Sequence, residues 1–130
     1  MSLGLSRPEF EKLVASALRG IPPRFRKIMR EENIVITVEG RPSRTKLLNM
    51  GMNPEIETLF GLYEGVPRTE RTSGYNFAVP DKITIYQEPM EEECGNSREA
   101  IKEQVRRTVL HEIAHFFGIS DPELEAMGWD

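Results

Sequence analysis

Apolar residues recur at helical spacing from Phe10 through Leu13, Val14, Ala17 and Leu18, which predicts an amphipathic helix. Ser6, Pro8 and Glu9 mark its start: a cap, a proline in the first turn and an acid three residues after the cap. Gly20 predicts its end. Pro22-Pro23 opens a shorter helix carrying Phe25, Ile28 and Met29. Ile34 to Val38 is β-branched and predicts a strand. Residues 40–55 are polar and rich in Gly, Pro, Ser and Asn, the composition of an irregular segment. A strand is predicted over Thr58–Glu64, stopped at Gly65-Val66-Pro67, with a charged loop over residues 68–77. Lys82 to Gln87 alternates most strongly and is the clearest strand. Glu91-Glu92-Glu93 predicts a solvated loop. A long helix follows, capped by Asn96 or Ser97 and reaching Phe117. Ile101, Val105, Val109 and Ile113 form its buried face, joined by Leu110, Ala114, Phe116 and Phe117. Gly118 ends it. Ser120-Asp121-Pro122-Glu123 starts a last short helix, with Ser120 or Asp121 as its cap. The order is helix, helix, three strands, long helix, short helix. It predicts an α+β fold in which a small mixed sheet packs on the long helix.

Length changes this picture little. The chain's 130 residues fit a single domain over residues 1–130 with a real hydrophobic core. The net charge of −4 gives no electrostatic reason for a nucleic-acid or anionic-membrane partner. Cys94 is the only cysteine, so no internal disulfide forms, as in a reducing compartment. No apolar run approaches a membrane span. A cytoplasmic protein with no membrane partner is the expectation.

The candidate chemistry is concentrated in the long helix. Both histidines of the chain are there, His111 and His115, with Glu112 after the first. Residues four apart share one helix face. Two imidazoles so placed can grip one Zn2+ ion, and a glutamate beside the first can act on water at the metal. A catalytic zinc takes a third protein ligand, and no third histidine exists. Asp121 lies just beyond Gly118, a residue able to turn the chain back, and is the expected third ligand. Glu123, Glu125 and Asp130 are the other downstream carboxylates. Asp121 also has a purely structural reading, as the cap of the last helix. The histidines have one as ordinary helix residues, one bonded to a carbonyl and the other solvated. Glu112 has one as a surface carboxylate paired with Thr108 or an arginine.

His-Glu-x-x-His-x-x-Gly-x-x-Asp over residues 111–121 resembles the zincin metallopeptidases, and is nearest the metzincin side, whose longer motif ends in a third ligand after the glycine. Together with Gly61-Leu62-Tyr63-Glu64-Gly65-Val66-Pro67 and Pro80-Asp81-Lys82-Ile83-Thr84-Ile85-Tyr86, it looks like the small bacterial family of minimal zincin-like metallopeptidases. That resemblance spans roughly residues 8 to 130. It implies a zincin-like fold, zinc at His111, His115 and Asp121, and Glu112 as general base in hydrolysis of a peptide or protein substrate. A typical metzincin has histidine where this chain has Asp121, and a methionine turn well downstream, whereas the only later methionine here is Met127. An aspartate ligand makes zinc a weaker acid toward water, so the expected activity is modest or narrowly directed. The strand around Lys82–Gln87 is the expected sheet edge for an extended peptide. Tyr63, Tyr75, Tyr86 and several arginines are candidate donors to an oxyanion. A non-peptide zinc hydrolase and a zincin-like binding or regulatory module with little catalysis are the alternative functions.

Overall fold

The start of the first helix is built as its spacing predicts. The Ser6 hydroxyl accepts from the Glu9 amide at 3.2 Å, and the Ser6 amide donates to the Glu9 carboxylate at 3.0 Å. The bond from the Ser6 amide, joined by a contribution from the Ser6 hydroxyl, holds the Glu9 carboxyl below its ordinary pKa. The computed structural model describes residues 4–65, 80–95 and 97–126, without the side chain of Asp121. Asn96 and the loop at residues 68–77 lie outside the described residues, as do Val66 and Pro67.

Helix α1 spans Arg7–Arg19 and α2 spans Pro23–Glu31. Strand β1 covers Ile34–Glu39, β2 Gly61–Glu64 and β3 Asp81–Tyr86. Helix α5, Arg98–Phe116, is capped by the Ser97 hydroxyl. Two further helices correct the sequence reading. Residues 40–55 contain α3, Arg44–Asn49, capped by Ser43 and anchored by the buried Leu47. Glu91 to Glu93 are not a loop but part of α4, Gln87–Cys94, which continues directly from β3. Glu91 is 2% exposed, and its carboxylate accepts from Gln87 Nε2 at 3.2 Å. Gln87 in turn accepts from Arg7 and donates to the Leu5 carbonyl. That network ties the start of α1 to the end of β3. The predicted strand over Thr58–Glu64 shortens to β2, although the Phe60 carbonyl still accepts from the Tyr86 amide.

The sheet is mixed, with order β1-β3-β2. β1 runs parallel to β3, and β2 runs antiparallel to it. Ile83 and Ile85 of β3 are fully buried in one core with Phe10, Val105, Val109 and Ile113 of α1 and α5. The other face of β3 carries Thr84 and Tyr86, also fully buried. Thr84 shares a 3.2 Å hydroxyl contact with Thr37 of β1. Tyr86 lies near the ion pair between Lys46 of α3 and Glu64 of β2. β3 is therefore a central strand with both faces covered. It offers no edge, which corrects the expectation that a peptide adds to Lys82–Gln87. The strand whose free side faces the histidine helix is β2. Among the described residues, no helix is long and apolar enough to cross a membrane.

Candidate active site

α5 carries the histidines in its last two turns and stops in a defined way. Gly118 has φ +74°, a conformation glycine adopts without steric cost. The Ile119 amide reaches back to the Ala114 carbonyl at 2.7 Å, the six-to-one bond of a Schellman turn. Helix α6, Asp121–Ala126, begins two residues later. Its cap is Ser120, whose hydroxyl accepts from the Glu123 amide while its own amide donates to the Glu123 carboxylate, each at 3.2 Å. The cap reading of Asp121 is thereby corrected: Asp121 is the first residue of α6. Its side chain lies outside the described residues, as do Met127 and Asp130. Glu123 Oε1 is engaged by both the amide and the hydroxyl of Ser120, bonds that hold this carboxyl below its ordinary pKa. Leu124, 1% exposed, seats α6 on the core.

His111 and His115 are both exposed. Within the described residues neither imidazole has a hydrogen-bond or ion-pair partner. The reading of one ring bonded to a carbonyl therefore does not hold. His115 lies in the last turn of α5, where the helix dipole favours a cation. Two unengaged nitrogen donors one turn apart, on the exposed side of a rigid helix, fit the donor chemistry of zinc. Among the described residues no group of three or more His, Cys, Asp and Glu gathers as a metal cluster. Cys94 is a partly buried thiol packed against the core, and burial pushes its pKa up.

Glu112 is half-buried and held by the sheet. Its Oε1 accepts from the Tyr63 backbone amide of β2 at 2.8 Å. This differs from the purely structural reading of Glu112, a pairing with Thr108 or an arginine. Alternation along an antiparallel strand sends the peptide groups of every second residue to the free side. Gly61 therefore presents its amide and carbonyl on the same open side as Tyr63. Gly61 also sets how near β2 comes to α5. A Cβ at this position would sit 2.6 Å from Thr108 Cγ2 and 3.1 Å from the Thr84 carbonyl oxygen.

Tyr63 is fixed at both ends. Its hydroxyl donates to Asp81 Oδ2 at 2.6 Å. Its ring stacks on Phe116 with centroids 4.0 Å apart and 14° between planes, and meets Phe117 edge-on at 6.2 Å. Phe116 is 37% exposed, so it is not the core residue its spacing predicts. It lies over Tyr63 at the end of the site helix. The buried, occupied hydroxyl of Tyr63 and the hydroxyl of Tyr86 on the opposite sheet face are both removed as oxyanion donors. Tyr75 lies outside the described residues.

An open cleft of about 350 Å³ lies beside His111 and Glu112, walled by Gly61 of β2 and by Gln104, Arg107 and Thr108 of α5. That volume is in the range of small-molecule and peptide side-chain pockets. A family model described as a zincin-like metallopeptidase matches residues 31–129 of the chain. A comparison with curated proteins finds no match.

Proposed function

The chain belongs to the zincin-like metallopeptidases, and from that premise we propose that it is a zinc-dependent peptidase with His111, His115 and Asp121 as metal ligands and Glu112 as general base. The observation that carries this reading is the pair of unengaged, exposed imidazoles on α5 beside a carboxylate tethered to the sheet edge. His111 and His115 would supply two nitrogen donors to zinc, and Asp121 at the start of α6 would supply a carboxylate oxygen as the third ligand. Zinc, when bound, provides a Lewis acid that polarises a carbonyl oxygen and makes water a stronger acid.

The remaining steps belong to the chain's own residues. An extended peptide lies along the open side of β2, where the Gly61 amide and carbonyl add it as a further strand. Glu112 takes the proton of the attacking water and hands it to the departing amine. The products are a carboxylate and a free amine. The 2.8 Å bond from Tyr63 holds Glu112 in place before substrate arrives, which reduces the reorganisation required during the reaction.

The test is a panel of unstructured protein substrates offered to the zinc-loaded protein. The expected result is about one zinc per chain, cleavage of at least one substrate, loss of cleavage on chelation and its return with zinc. Asp121→Ala should weaken zinc binding at least tenfold. An unchanged affinity removes Asp121 from the ligand set. A zinc-loaded protein that leaves every substrate intact overturns the peptidase reading and favours a binding module.

A further inference from the structure

Beyond His111 the cleft runs along α5 toward its N-terminal half, where its wall carries Arg107 beside the neutral Gln104 and Thr108. Arg107 stands one helical turn before His111, about 6 Å along the helix axis. Its side chain is 54% exposed, and its ion pair within the described residues is a 3.6 Å contact with Glu103. Glu103 is already engaged by Arg106, which meets both carboxylate oxygens through Nε and Nη2. The Arg107 guanidinium therefore keeps most of its donors for an incoming group. Among the described residues the acid that lines the same cleft is Glu112, and the Tyr63 amide occupies its Oε1. An arginine fork matches a carboxylate through two parallel N–H bonds, a geometry that lysine does not reproduce.

We propose that Arg107 determines specificity by binding a substrate carboxylate close to the scissile bond. This rests on the peptidase reading above. Arg107 lines the same cleft as His111 and Glu112, so the carboxylate lies within one or two residues of the cut. It belongs either to an aspartate or glutamate side chain or to the free C-terminus of the peptide.

Matched peptides test both sources. One pair differs as glutamate against glutamine at the position after the cut. The other differs as free acid against amide at a C-terminus two residues beyond it. kcat/KM is measured for the zinc-loaded wild type. Binding of labelled peptides is measured by fluorescence anisotropy on zinc-loaded Glu112→Gln. The expected preference for the carboxylate member is about tenfold in one pair, and that pair identifies the source. Arg107→Gln should bring the ratio within about twofold of unity, and Arg107→Glu should turn it toward a lysine-bearing peptide. That gain also shows that the substituted protein is folded. Cleavage without a carboxylate preference, or with one that survives Arg107→Gln, overturns the role of Arg107 and leaves the peptidase reading standing. Arg107-dependent binding with no cleavage by wild type supports carboxylate recognition and overturns peptide hydrolysis. Neither binding nor cleavage overturns both.

Discussion

Glu112→Gln is expected to lower kcat by about a thousandfold while zinc stays bound, the range that a positioned general base contributes. Glutamine keeps the shape of the side chain and keeps a carbonyl oxygen able to accept the Tyr63 amide, the bond that measures 2.8 Å in the native protein. It loses only the capacity to take a proton. KM should therefore move little, and metal content should match wild type. His111→Ala is the contrasting case, because it removes a proposed ligand: zinc content and turnover should fall together. The measurement is kcat and KM on one substrate, with metal content determined on the same samples. If Glu112→Gln retains activity within tenfold of wild type, Glu112 is not the base, even if zinc is required. If its zinc content falls, the side chain acts on metal binding rather than on the proton.

The parts of the fold that were legible are those where one local signal decides the outcome. The capping box of Ser6 and Glu9 sets the start of α1, and Gly118 with its positive φ ends α5. The periodic set Ile101, Val105, Val109 and Ile113 is fully buried. α3 escaped notice because a six-residue helix that buries only Leu47 has too few apolar positions to show a period. The available signal was Ser43, a cap three residues before the Lys46 amide that it accepts from. α4 escaped because three consecutive glutamates look solvated, although Gln87 stands one helical turn before Glu91 and donates to its carboxylate.

The sheet order was hidden for a related reason. In β3 the alternate residues Thr84 and Tyr86 carry hydroxyls and imitate a solvent face. Both are nevertheless fully buried, since β1 and β2 flank the strand and polar neighbours from α3 and β1 cover it. At the site, the spacing of His111, Glu112 and His115 was visible because a helix brings residues four apart together. The contact of Glu112 with Tyr63 joins residues 49 positions apart. No local pattern encodes such a contact.

Gly61→Ala is expected to destabilise the protein by about 1–3 kcal/mol, the usual cost of overpacking, and to reduce peptide hydrolysis by about a hundredfold. The added methyl would begin 2.6 Å from Thr108 Cγ2 and 3.1 Å from the Thr84 carbonyl oxygen. Thr108 is held in the α5 wall by the Gln104 amide at 3.1 Å, and Thr84 belongs to the central strand. β2 is the element with freedom to move, because it is short and paired on one side only. Its displacement carries the Tyr63 amide away from Glu112 and moves the edge on which the peptide is proposed to lie. A misplacement of about 1 Å at a reacting centre is enough for a hundredfold loss. Thr108→Ser deletes Cγ2 and keeps the hydroxyl, so the double substitution should recover more than half of both losses. Thr108→Ser alone should cost less than about 1 kcal/mol, the scale of a single methyl group. Denaturant midpoints and kcat/KM on the four proteins complete the cycle. Strictly additive effects would show that the strand does not yield where Gly61 meets Thr108, and would sever the proposed link between that contact and the position of Glu112.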